Sequence, residues 1–180
     1  LGRQPEVYPS TMESLVSVII PNRNGADTLG TCLAAARASR HGNFEIIVVD
    51  DGSEDDSIEV IERYSCKLVR LEQHGGAAHA RNAGASHSRG RILFFTDADC
   101  LLQPDTLALA AGALALEGSN AIIGGTYTQA PHDRRFFSRF QSIFINYFET
   151  RHAPAADYVA THALAMDASV FRSNRGFADD

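Results

Sequence analysis

Short β-branched runs alternate with stretches of helical spacing along most of this chain, and that rhythm restricts the possible folds more than any other feature. Leu15-Val-Ser-Val-Ile-Ile20, Phe44 to Val49, Lys67 to Leu71, Ile92 to Phe95 and Ala121 to Ile123 read as strands. Between them, Asp27 is placed to cap a helix whose Leu29, Cys32, Leu33 and Ala36 recur every three or four residues. Ser57 to Tyr64, Ala77 to Ser88 and Pro104 to Leu116 read as further helices, the last with proline in its first turn. Regular alternation of this kind predicts a mainly parallel sheet with helices on both faces, a three-layer α/β/α architecture. With 44 % apolar residues in 180, the chain can bury a core for one such domain.

Composition removes several function classes. Sixteen Lys and Arg against 22 Asp and Glu give a formal charge of −6, which argues against a nucleic-acid partner. Cys32, Cys66 and Cys100 form no CxxC pair and are odd in number, so neither a zinc knuckle nor a disulfide framework is expected. A reducing, cytoplasmic setting follows as the simplest expectation. Residues 1–14 hold Gly2, Pro5 and Pro9 without periodicity, and are expected to form a flexible leader rather than a signal peptide. The Ala/Leu-rich stretch Leu107 to Leu116 is interrupted by Gly112 and reaches about half of the ~20 residues that a membrane span needs.

Beyond Gly125 the rhythm changes. Phe136, Phe140, Ile143, Phe144, Tyr147 and Phe148 follow helical spacing, with Arg134, Arg135 and Arg139 towards the N-terminal end. Packing of this aromatic face on the sheet is the favoured expectation, with peripheral membrane contact through the arginine-rich end as the alternative. Tyr158 to Met166 is expected to return to the sheet.

Ligands of open parallel sheets bind beyond the carboxyl ends of the strands, and three polar clusters fall there. The first strand ends in Pro21-Asn22-Arg23-Asn24-Gly25, the second in Asp50-Asp51-Gly52-Ser53-Glu54-Asp55, and the fourth in Thr96-Asp97-Ala98-Asp99. Alternate residues leaving a strand point the same way, so Asp97 and Asp99 can converge on a hard cation, Mg²⁺ or Mn²⁺, that keeps positions for water and phosphate. Two adjacent acids at a buried strand end need hydrogen-bond partners. Carboxylates such as Asp50 and Asp51 can accept from a uracil imino N–H or from ribose hydroxyls, which suits a nucleoside. His74-Gly75-Gly76 opens a helix whose exposed backbone N–H groups, with Arg81 one turn in, could meet a phosphate. Turn-forming preferences alone would account for any one of these clusters.

In this order and spacing, Val16-Ser-Val-Ile-Ile-Pro-Asn-Arg-Asn24, Val48-Val-Asp-Asp-Gly-Ser-Glu-Asp55, Gly75-Gly76 with Ala80-Arg81-Asn82-Ala83-Gly84, and Thr96-Asp-Ala-Asp99 resemble the family 2 glycosyltransferases. The resemblance runs from about Leu15 to the chain end. It implies a GT-A fold over residues 15–180, truncated at its C-terminus, that binds a nucleotide-diphospho-sugar, commonly UDP-linked. It also implies transfer of the sugar with inversion to a saccharide or lipid-linked acceptor, in cell-envelope polysaccharide or glycan synthesis. By the same resemblance, Pro21 and Asn24 line the nucleoside pocket, Asp51 contacts the base with Asp50 in support, and Arg81 faces the phosphates. Asp99 becomes the direct metal ligand, with Asp97 near the ribose or the metal.

An inverting displacement needs a base on the acceptor side, usually a carboxylate. The tail Arg175-Gly176-Phe177-Ala178-Asp179-Asp180 is similar to the family's Gly-Gly-Phe-Asp-Glu segment, with Arg175 in place of the first glycine and Ala178 in place of the first acid. Asp179 and Asp180 are therefore the base candidates within the chain, and the family's further Glu-Asp pair would lie downstream. His162 falls where relatives place sugar- and acceptor-contacting residues, although a lone histidine is more commonly structural. Three competing readings fit less well. A sugar-phosphate nucleotidyltransferase would carry a glycine-rich basic loop after the first strand, and a receiver domain would carry its acidic pair there. A nucleotide-sugar-binding module without turnover fits the motifs and is separated from an enzyme by a donor-hydrolysis assay.

Overall fold

The structure, a computed structural model, describes residues 14–133, 135–150 and 159–178. The expected leader up to residue 13, Tyr158, Asp179 and Asp180 lie outside the described residues. The strands are β1 (Val16–Asn22), β2 (Phe44–Asp50), β3 (Lys67–Arg70), β4 (Ile92–Phe95), β5 (Ile122–Gly124) and β6 (Leu164–Asp167). The helices are α1 (Ala26–Arg37), α2 (Ser57–Glu62), α3 (Gly76–Ser86), α4 (Thr106–Glu117), α5 (Phe136–Thr150) and α6 (Ala168–Ser173), with a 3₁₀ turn at Thr161–Ala163.

One sheet takes all six strands in the order β3-β2-β1-β4-β6-β5. β1 to β4 run parallel, while β6 is antiparallel to β4 and β5 antiparallel to β6. The near-continuous apolar runs of β1, β2 and β4 follow from burial on both faces. Val18, Ile20, Ile46, Val48 and Phe94 pack under α1, α2 and α4. Ile47 and Val49 face Ala80 of α3, and Ile19 and Phe95 pack with Phe171 of α6. Gly84 lets α3 approach closely, since a Cβ there would stand 2.5 Å from Ile19 Cγ2.

The chain builds β1, β2 and β3 outward in one direction, then crosses to place β4 on the other flank of β1. Such a reversal opens a crevice beyond the carboxyl ends of the two central strands. Pro21 does not close β1 as the sequence suggests; the strand continues to Asn22, paired with Asp50 of β2. β4 pairs with β1 only as far as Ile19 and Phe95, so the missing N–H of Pro21 removes no ladder bond.

Two other expectations change. Asp27 lies inside the first turn of α1 and does not cap it. The backbone N–H groups of Gly25 and Ala26 instead donate to Ser57 Oγ (3.1 Å) and Asp55 Oδ2 (2.9 Å), so the loop after β2 caps the helix after β1. The aromatic face of α5 does not pack on the sheet. Its polar side points inward, with Ser142 Oγ donating to Thr128 O at 2.6 Å and Asn146 Nδ2 to Tyr127 O at 2.7 Å. Those carbonyls belong to no strand and need donors, which the polar side of the helix supplies. Phe136, Phe140 and Phe144 are left exposed, stacked in turn at 6.3 and 5.7 Å.

Candidate functional site

Three loops meet at the crevice. The turn after β2 is tied to β1 by polar side chains: Asn22 Nδ2 donates to Asp50 Oδ1 at 3.3 Å, and Ser53 N to Asp50 Oδ2 at 3.2 Å. Asn24, in the left-handed region at φ 50°, donates its N–H to Ser53 Oγ at 2.9 Å and accepts from Glu54 N at 2.8 Å. Asp50 and Asn24 thus lock two loops together, and Pro21 lies half-buried at their root.

Asp51 is buried and holds the third loop. Its carboxylate accepts from Gly75 N at 2.8 Å, Gly76 N at 2.9 Å and His74 Nδ1 at 2.7 Å. Gly76 has φ 87°, a conformation that turns the chain into α3. Glycines in the 74–76 loop are legible in sequence, but the link from His74 back to Asp51 is not, because 23 residues separate them.

Beyond β4 the acidic residues converge. Ligand atoms of Asp97, Asp99 and Cys100 lie within 4.8 Å of one another. Arg81 Nη2 donates to Asp97 Oδ1 at 2.6 Å, which leaves the second oxygen of Asp97 for another partner. The guanidinium of Arg81 also lies 5.9 Å from the centroid of the Phe177 ring. Phe177 is clamped to α3 by Asn82, which accepts from its N–H and donates to its carbonyl, both at 2.9 Å.

Cys100 is the residue of this group that sequence reasoning missed, although its position next to Asp99 was a signal. Its thiol reaches Asp99 Oδ1 at 3.7 Å and Tyr127 Oη at 3.5 Å. Burial pushes both the Cys100 thiol and the Tyr127 phenol up from their ordinary values. Cys32, across the cluster, is pushed up to about 12 by burial, with Cys100 and the two aspartates adding to it. The carboxylates of Asp97 and Asp99 are hard oxygen donors, of the kind that could hold Mg²⁺ or Mn²⁺.

Apart from Asp179 and Asp180, which lie outside the described residues, the sequence-derived residues stand at the carboxyl ends of β1, β2 and β4 and on α3. Asn24, Asp50 and Asp51 stand on the β1 and β2 side, and Asp97, Asp99 and Arg81 stand at the end of β4 and the first turns of α3. His162 sits on the 3₁₀ turn that Thr96 Oγ1 holds by donating to its carbonyl at 2.9 Å.

The profile of a family described as Glycosyl transferase family 2 matches residues 17–173, nearly the whole chain. The chain belongs to glycosyl transferase family 2. Glycosyltransferase AglE of Haloferax volcanii is 36 % identical over 119 residues, covering 61 % of this chain and 38 % of AglE. Glycosyltransferase GlyG of Streptococcus pneumoniae is 28 % identical over 131 residues, covering 70 % of this chain and 44 % of GlyG. The family 2 chain therefore spans less than half the length of these relatives.

Among solved structures, mannosyltransferase PcManGT from Pyrobaculum calidifontis, in complex with GDP-Man and Mn2+, superposes with a TM-score of 0.76 at 25 % identity. That match covers 92 % of this chain and 48 % of PcManGT. S. aureus TarS 1-349 superposes with a TM-score of 0.69 at 20 % identity over 92 % of this chain and 50 % of that chain, a likeness of fold. The GT-A architecture and the family membership expected from the motifs are both borne out.

Proposed function

We propose that this chain is the donor-binding part of a glycosyltransferase that moves a sugar from a nucleotide-diphospho-sugar to an acceptor hydroxyl with inversion. The observation that carries this reading is the convergence of Asp97, Asp99 and Arg81 at the reversal between β1 and β4. PcManGT in complex with GDP-Man and Mn2+, and TarS in complex with UDP-GlcNAc, support a nucleotide-sugar ligand and a divalent ion.

On this reading Asp99 and the free oxygen of Asp97 hold Mn²⁺ or Mg²⁺. When bound, such an ion neutralises charge on the departing nucleoside diphosphate. Arg81, fixed by Asp97 and Phe177, holds positive charge beside the same phosphates. Asp51 orders the 74–76 loop and, through any lone pair this loop leaves open, contacts the base. Pro21, Asn24 and Asp50 shape the nucleoside side of the crevice. The proton acceptor for the attacking hydroxyl is assigned to a carboxylate, with Asp179 and Asp180 as candidates. The exposed aromatic face of α5, flanked by Arg135 and Arg139, is assigned to peripheral contact with an anionic membrane surface, which suits a lipid-linked acceptor. Among the described residues no helix is long and apolar enough to cross a membrane.

Calorimetry with UDP, GDP and their sugar conjugates tests the central claim. Asp99→Ala should abolish the Mn²⁺-dependent part of nucleotide binding. Affinity that stays the same in Mn²⁺ would remove the assignment.

A further inference from the structure

Cys32 and Cys100 are both buried free thiols, yet their surroundings differ in kind. Cys32 packs in the apolar core with Leu29, Leu33 and Ala36, as a small hydrophobe does. Cys100 is only 8 % exposed but joins none of the apolar clusters formed by the described residues. Its sulfur meets the Asp99 carboxylate and the Tyr127 hydroxyl instead. A thiol buried among polar groups gains little from the hydrophobic effect, so core packing does not account for a cysteine at this position.

The distances are those of a metal ligand. An oxygen and a sulfur bound to one tetrahedral zinc ion stand roughly 3.6 Å apart, given bonds of about 2.1 and 2.3 Å. Cys100 Sγ stands 3.7 Å from Asp99 Oδ1. The sulfur and one carboxylate oxygen from each of Asp97 and Asp99 lie within 4.8 Å of one another. Tyr127 Oη, 3.5 Å from the sulfur on its other side chain contact, can donate a hydrogen bond to it, and outer contacts of this kind orient a ligand and steady its bound form.

We infer that Cys100 is a third protein ligand of the cation held by Asp97 and Asp99, so that the site takes a thiophilic divalent ion such as Zn²⁺ through a metal–sulfur bond. The inference rests on the cation site proposed above and alters its chemistry. Two carboxylates alone suit hard ions, whereas an added sulfur extends the site to borderline-soft ones. A coordinating thiol is deprotonated by the charge of the ion, and its proton passes to solvent as the metal–sulfur bond forms. Three protein ligands leave a tetrahedral ion one further position, which a phosphate oxygen can fill.

The test titrates the protein with Co²⁺ in the presence of UDP and reads the near-ultraviolet charge-transfer absorption of a cobalt–thiolate bond, at wavelengths where UDP is transparent. Wild-type protein and Cys66→Ser should both show the band, and Cys100→Ser should lose it. Zn²⁺ affinity, followed by the paramagnetic resonance signal of displaced Mn²⁺, should fall about tenfold or more in C100S. Mn²⁺ affinity should stay within about threefold of wild type in the same variant, which a merely structural role for the thiol would not predict. Absence of the band from wild-type protein saturated with Co²⁺ overturns the inference without recourse to any variant, as does a band that C100S retains. Failure of Mn²⁺ itself to bind in UDP instead overturns the cation site on which the inference rests.

Discussion

Arg175 follows α6 at φ 64°, a left-handed conformation that L-residues with a side chain adopt at a penalty. The helix ends in a Schellman motif, with Gly176 N donating to Phe171 O at 3.0 Å and Arg175 N to Arg172 O at 3.1 Å. This geometry explains why the family segment has glycine where Arg175 stands. Arg175→Gly should therefore raise stability by about 1 kcal/mol, read from the urea midpoint, while Arg175→Ala should not. An unchanged midpoint in the glycine variant would show that the arginine side chain compensates through contacts of its own. Sequence alone identified the anomaly at Arg175, because glycine has one dominant conformational use. It also located Asp97 and Asp99, because strand alternation fixes where their side chains go. The different tasks of Asp50 and Asp51 were not legible: each depends on which loop folds back onto it, Ser53 in one case and Gly75 in the other.

At the scale of elements, the existence of α5 was written in its helical spacing, but the direction of its apolar face was not. Periodicity locates a stripe and assumes that the stripe faces the core. Here the backbone carbonyls of Tyr127 and Thr128 recruit the polar side, and the aromatic stripe turns outward. The same kind of tertiary decision carries β1 through Pro21, because the pairing with β4 ends at Ile19 and leaves no bond there for a proline N–H to make. An exposed aromatic ladder contributes little to the fold, so Phe140→Ser with Phe144→Ser should leave the thermal midpoint nearly unchanged. If α5 meets an anionic surface, wild-type protein should co-sediment with phosphatidylglycerol-containing vesicles, less so at high salt, and the double variant should remain in the supernatant. Equal partition of both proteins would show that the stripe serves another partner.

Across the whole molecule, carboxylates join segments that are distant in sequence. Glu45 of β2 accepts from Ser17 of β1 at 2.6 Å and from Arg89 before β4 at 2.7 Å. Asp55 joins the starts of α1 and α2, and Asp167 caps α6 while pairing with Arg91. Burial would raise each of these carboxyls, but the hydrogen bonds from Ser17 and Arg89, from Ser57 and Ala26, and from Ser169 and Arg91 hold all three below their ordinary values. A group whose value is depressed in the folded state favours folding above its unfolded value, and that contribution disappears as pH falls through the folded value. Stability should therefore be level from pH 7 down to about 5 on account of these groups. It should fall as pH drops below the ordinary values of 4.5 for Glu45 and 3.8 for Asp55 and Asp167. Urea midpoints measured across this range check the slope, and Glu45→Gln should lower the plateau while flattening the acid limb. A wild-type midpoint that stays constant down to pH 3 would mean that these seams are not under proton control.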